Sequence, residues 1–313
     1  MGYGFHLPFD DVALRDCKPL LDEVARLGYS EVWSAEATGQ DGLTPLALAA
    51  AWQPALRVGV AILPAYTRGP ALMAMSAAAM ADASPGGFSL GIGASSQPIV
   101  ESWNAIEYDR PYARVRDTVR FLRQALTGER VEQEYETFTV RGFRMDRPPV
   151  ELPTFLIAAL RPQMLRLAGR EADGTILNWL SAGDIPTVAR EVGPDRQLVT
   201  KVLLCLEPDE TFLPMIRRMV AAYLNVEGYA KYQQWLGRGE LLAPMWEAWA
   251  AGDRRAALEA IPDALIEELF VFGSAAECRA GIAKYVDAGV TTPIICPVGG
   301  GASAADTMRA LAP

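Results

Sequence analysis

Eight short apolar runs recur along this chain of 313 residues, each lying between stretches with helical periodicity. They fall at residues 3–7, 31–34, 57–62, 88–92, 154–158, 174–177, 198–206 and 292–297. Strands alternating with helices form right-handed parallel units, and eight such units close naturally into a barrel with the helices outside. The expected fold class is therefore α/β, a (β/α)8 TIM barrel spanning residues 1–313 as one domain. Half of the residues are hydrophobic, enough for a large core, and 313 residues is an ordinary length for one barrel.

Helix boundaries are readable in several places. Residues 16–27 end at Gly28, a suitable C-terminal stop. Tyr112, Val115, Val119, Leu122 and Leu126 make one apolar stripe behind Pro111, a residue favoured at a helix start. Ser274 and Glu277 have capping-box spacing, and Cys278, Ile282 and Tyr285 follow on one face before Gly289. Three stretches exceed the connections of a minimal barrel: 93–109, 128–152 and 225–262. In the second, Val131, Tyr135, Phe138, Val140 and Phe143 suggest a hairpin. In the third, Trp235, Trp246 and Trp249 read best as packing of an insertion against the barrel.

Charge and composition exclude several functions. A net charge of −9 argues against nucleic acid, which demands a concentrated basic face, and against an anionic membrane surface. No apolar run is long enough to span a bilayer, and the amino terminus lacks the pattern of a signal peptide, so a cytoplasmic location is expected. One histidine and four scattered cysteines cannot assemble a His-based metal site, and no GxSxG elbow is present. The expected partner is a small-molecule substrate.

The run SPGGFSLGIGASSQPIVESWNAIEYDRPYARVRDTVRFLRQALTGERV, followed by LPTFLIAALRPQMLRLAGREADGTILNW, is more specific. Together with VGVAILPAYTRGPALMAMSAAAMAD and VFGSAAECRAGIAKYVDAGVTTPIICPV, it resembles the luciferase-like monooxygenase superfamily, most closely its coenzyme F420-dependent oxidoreductases. The resemblance runs nearly end to end. It implies a luciferase-like barrel with its site at the C-terminal ends of the strands, and often a homodimer. It further implies hydride transfer between a deazaflavin, F420, and an organic substrate. The alternatives are an FMN-dependent monooxygenase or reductase on the same scaffold, and a flavin- or F420-binding protein without turnover.

The resemblance also assigns residues. Val60, Ala61 and Ile62 would back the cofactor ring, with a non-prolyl cis peptide at Ala61–Ile62; an ordinary apolar strand is the bland reading. Gly93, Ala94, Ser95 and Ser96 let the backbone approach a ligand and offer hydroxyls, although such loops often only start a helix. Ala159, Leu160 and Arg161 open a helix whose first amides attract anions, so the cofactor phosphate is expected there. Some relatives carry Gly-Gly at this turn, where this chain has Leu160-Arg161. Asn178 and Trp179 would complete the phosphate pocket or the ring wall.

His6 ends the first strand, where barrel active sites occur, and is a candidate to position substrate or move a proton. Glu36 is the second catalytic candidate. Relatives commonly place an acidic–histidine pair here, but this chain has Glu36-Ala37, which leaves a histidine-dependent mechanism to His6. Tyr66, Arg68 and Trp103 are candidates for the substrate pocket, the arginine for an anionic tail.

Overall fold

The structure, a computed structural model, describes residues 2–9 and 12–313. Its strands are β1 (Gly4–His6), β2 (Glu31–Ser34), β3 (Arg57–Pro64), β4 (Phe88–Gly93), β5 (Val131–Glu134), β6 (Thr139–Phe143), β7 (Thr154–Ala158), β8 (Gly174–Leu177), β9 (Gln197–Leu206), β10 (Val271–Gly273) and β11 (Thr292–Pro297). The α-helices are α1 (Lys18–Arg26), α2 (Thr44–Trp52), α3 (Pro70–Ala83), α4 (Pro111–Ala125), α5 (Pro162–Glu171), α6 (Ile185–Val192), α7 (Phe212–Leu224), α8 (Glu227–Trp235), α9 (Gly239–Ala250), α10 (Arg254–Glu259), α11 (Asp263–Leu269), α12 (Ala275–Asp287) and α13 (Ala304–Ala310).

Eight parallel strands close in the order β1-β2-β3-β4-β7-β8-β9-β11, with β11 paired back to β1. All eight are the expected apolar runs. The hairpin β5–β6 lies in the second insertion, as its alternation implied. β10 was not anticipated. It adds to the far end of β9, pairing with Leu204–Leu206 beyond the Thr200 position where β8 stops.

Pairing register and alternation stack the inward side chains in layers, four per layer from alternate strands. The lowest layer is Gly4, Gly59, Leu156 and Val199; the next is Trp33, Gly91, Ile176 and Ile294. Trp33 fills the middle because both neighbours are glycine. A Cβ at Gly59 would sit 2.4 Å from the indole, and one at Gly4 would sit 2.6 Å from it. Its Nε1 donates to Glu31 at 2.9 Å, so the buried polar atom is satisfied. Trp33, Ile176 and Ile294 are all buried, and these two layers seal the barrel from below.

Outward residues of the same strands (Phe5, Val32, Val58, Leu90, Phe155, Val202) pack under the surrounding helices as the main core. A second core covers the far end of β9. There Leu203 and Cys205 meet Phe212, Ile216 and Val220 of α7, Leu242 and Met245 of α9, and Leu265 and Ile266 of α11. Arg238, with a side chain only 9% exposed, ties this insertion to the barrel. It donates to Asp184 (2.8 Å), Ser181 (3.2 Å), Gln233 (3.2 Å) and Glu268 (2.9 Å). Trp246 donates to the Leu224 carbonyl and Trp249 lies under Arg254, both in keeping with packing.

Candidate active site

Above the sealed floor the lumen changes character. Continuing the register, the third layer is His6, Ala61, Ala158 and Lys201, and the rim above it carries Gly93, Asn178 and Cys296. His6, Ile62, Ala158, Lys201, Asn178 and Cys296 are all partly accessible, whereas the layer beneath is buried. The barrel therefore opens at its C-terminal end, on a floor of two alanines facing two titratable groups.

The alanine side is shaped by backbone. The Ala61–Ile62 peptide is cis, and the pairing of β3 with β4 shifts between Val60 and Leu63. A Cβ built at Gly93 would lie 3.1 Å from that of Ala158 and 3.2 Å from Ile62. Glycine thus keeps this wall of β3, β4 and β7 thin. Beyond Gly93 the chain turns through Ser95 at φ +62° and enters a π-helical turn, Pro98–Trp103. The Ser95 carbonyl accepts a long hydrogen bond from Tyr108 (3.4 Å). A second cis peptide, Leu7–Pro8, follows His6.

Arg161 is exposed at the N-cap of α5, whose first turn no side chain caps. Its charge reaches both Tyr108 and Glu227 at the start of α8. A Cβ built at Gly228 would lie 3.9 Å from Leu160 Cδ1, and Ala159 is buried, its amide bonded to the Ile176 carbonyl. Positive charge and uncapped amides therefore meet on one side of the mouth.

His6 and Lys201 occupy the other side. Burial, reinforced by the Lys201 charge, pushes the His6 imidazole down to about 3, so at neutral pH it is uncharged. Its Nδ1 is shielded and has no hydrogen-bond partner. Burial also lowers the Lys201 pKa, against an opposing influence from Cys296. Lys201 was missed in the sequence. Its signal was a single lysine in the middle of the otherwise uncharged run LVTKVLLCL, where alternation sends it inward beside Val199.

Several expected residues are committed elsewhere. Glu36 accepts two hydrogen bonds from Arg68 Nη1 (2.6 and 2.7 Å), one from the Gly42 amide (3.0 Å) and one from Thr67 (3.3 Å). The pair clamps the loop after β2 to the turn after β3. Tyr66 is 6% exposed and donates to the Asp109 carbonyl at 2.6 Å, with its ring against Tyr108. Trp103 is 56% exposed on the π-helical turn. Trp179 does not wall the mouth. A left-handed backbone (φ +57°) swings its indole into the second core, where it packs at a tilt against Tyr223, ring centroids 4.8 Å apart, and is 2% exposed. Asn178 remains at the rim, its Oδ1 accepting from the Trp179 amide.

Among the described residues, no helix is long and apolar enough to cross a membrane. Compared with known proteins, the chain is 24% identical over 319 aligned positions to a Mycobacterium tuberculosis protein designated a coenzyme F420-dependent oxidoreductase, covering 91% of this chain and 90% of that one. Its fold superposes on the coenzyme F420-dependent tetrahydromethanopterin reductase of Methanopyrus kandleri with a TM-score of 0.82. That match has 18% identity and covers 99% and 97% of the two chains. It also superposes on the oxygenating constituent of 3,6-diketocamphane monooxygenase from Pseudomonas putida, solved with FMN. There the TM-score is 0.64 at 16% identity, over 100% and 96% of the chains. Residues 9–292 match the luciferase-like monooxygenase family, and the chain belongs to that family.

Proposed function

We propose that this oxidoreductase binds coenzyme F420 in the barrel mouth and transfers a hydride between it and a small organic substrate. The observation that carries the reading is the divided floor: a thin, apolar wall of Ala61, Ile62, Gly93 and Ala158 facing the polar pair His6 and Lys201. A flat ring needs the first and a substrate with an oxygen function needs the second. The orphaned Nδ1 of His6, in a layer that opens to the mouth, leaves a hydrogen-bonding position for a bound partner. The F420-designated relative and the reductase neighbour support deazaflavin.

In this reading Val60, Ala61 and Ile62 back the ring, Ala94, Ser95 and Ser96 approach the cofactor chain, and Arg161 with the first amides of α5 takes its phosphate. The deazaflavin supplies the hydride chemistry, which does not include activation of oxygen. The protein's part is geometric and electrostatic. It holds the substrate against one face, excludes water below the third layer, and presents a neutral imidazole that can accept or donate one hydrogen bond. Glu36 supports this constellation from behind through Arg68 rather than exchanging a proton itself.

Titrating the purified chain with F420 and with FMN, reading absorbance and fluorescence, tests the proposal. F420 should bind, and Ala158→Leu should weaken binding by about 100-fold, ~2.7 kcal/mol, by filling the floor. Tight FMN binding with no response to F420 would overturn the F420 reading. That second reading, an FMN-dependent enzyme, has the camphane monooxygenase neighbour in its favour.

A further inference from the structure

The polar half of the third layer is costly as it stands. Lys201 lies in a strand whose other inward residues are Val199, Leu203 and Cys205. Among the described residues no carboxylate forms an ion pair with it, and the influence that counters the effect of its burial comes from Cys296 on the neighbouring strand. His6 lies in the same layer, close enough to feel the Lys201 charge, with one ring nitrogen unpartnered. Lysines enclosed in proteins are ordinarily paired, because an isolated ammonium loses its hydration without compensation. Lys201 is partly accessible from the open lumen and meets no acid there among the described residues. It sits with an unpaired imidazole around the space that Ala61 and Ala158 leave open.

We infer that Lys201 and His6 form an anion subsite in the floor of the pocket, built for a carboxylate or phosphate oxygen carried by the substrate. The inference rests on the mouth being the active site and adds a substrate class: an organic anion that places its charged group on the β1–β9 side. The ammonium supplies the counter-charge. The His6 ring supplies an N–H donor, so the anion satisfies two groups that the protein leaves open. A neutral ligand of the same shape would leave the ammonium uncompensated and bind weakly. The contrast is electrostatic rather than steric.

The test uses the purified full chain and three probes: butyrate, its neutral counterpart butyramide, and inorganic phosphate. Thermal unfolding is followed in the wild type, Lys201→Met and His6→Asn. One anion should raise the wild-type midpoint saturably and butyramide should not; whether butyrate or phosphate acts identifies the group. Lys201→Met should weaken the response at least tenfold and His6→Asn severalfold. Without any anion, Lys201→Met should unfold at a higher temperature than the wild type, because a desolvated cation has been replaced by an apolar chain of similar length. Equal anion responses in wild type and Lys201→Met, or no response in the wild type, would overturn the subsite. So would a Lys201→Met variant that unfolds earlier, since that marks a structural lysine. Parallel titrations with F420 and FMN separate the two ideas. If neither cofactor binds while the Lys201-dependent response persists, the cofactor reading falls and the subsite stands. If cofactor binds and the anion responses do not differ, only the subsite falls.

Discussion

The Glu36–Arg68 pair offers a sharp test of what the loop after β2 does. Both side chains are mostly enclosed, 18% and 16% exposed, and the contacts of 2.6 and 2.7 Å are charge-assisted. Charges about 4 Å apart at an effective dielectric near 20 attract by ~4 kcal/mol, and desolvation of both groups offsets much of that. Breaking the pair from one side is different, because the surviving charge keeps its desolvation and loses its partner. Glu36→Gln retains shape and can still accept from Gly42, so it should cost about 2 kcal/mol. Arg68→Met strands the carboxylate and should cost about 3 kcal/mol. The double variant should be less destabilised than the sum, with a coupling of ~1–2 kcal/mol. In a chain of this size each kcal/mol moves the thermal midpoint by roughly 2 °C, so shifts of about 4–6 °C are within easy reach. Urea and thermal unfolding of the four proteins of the cycle measure this directly. An additive cycle, or a Glu36→Gln variant as stable as wild type that has lost turnover, would refute the strut and return Glu36 to the chemistry.

Three other consequences are open to measurement. Trp33→Ala empties the middle of the sealed floor and should destabilise by about 3–5 kcal/mol in urea unfolding; a loss below ~1 kcal/mol would mean that the lower layers collapse around it. Arg238→Met removes the hub joining Asp184, Gln233, Ser181 and Glu268, and should cost about 3–5 kcal/mol, with hydrogen exchange rising first in α8 and α9 rather than in the barrel strands. His6 is held neutral with a pKa near 3, against 6.5 for the free side chain. Between those values the unfolded chain takes up a proton that the folded chain refuses, so its contribution is lost as pH falls through 6.5. Wild type should therefore lose about 2 kcal/mol relative to His6→Asn between pH 7 and pH 5; parallel curves would show that the imidazole titrates normally.

The fold and the site were legible in the sequence to different depths. All eight barrel strands were legible because each is an apolar run between helical stretches, and buried parallel strands are defined by little else. β10 was not, for a physical reason. Three residues, Val271–Gly273, hold no periodicity of their own, and they become a strand only because β9 outruns β8 and leaves an unpaired edge. The same limit explains Glu36, Arg68 and Tyr66. Residue type and position at a strand end marked each as functional, yet Glu36 meets Thr67 and Arg68, 31 and 32 residues on, and Tyr66 meets Asp109, 43 residues on, contacts that appear only when loops meet. Trp179 was misdirected by a single dihedral angle, since a left-handed residue after β8 reverses where the indole points.

Lys201 is the opposite case, since its place in the sequence already points into the lumen. In the run LVTKVLLCL a lysine interrupts a strand enclosed on both faces, and period-two alternation alone puts it in the lumen with Val199. Barrel chemistry gathers at strand ends, and this charge lies in mid-strand. Register resolves the matter, because the shear of the closed sheet raises mid-strand residues of long β9 to the height of the last residue of short β1. A position in the middle of one strand and a position at the end of another are thus one floor. That equivalence is a property of the closed barrel, and it is what brings His6 and Lys201 together as a site.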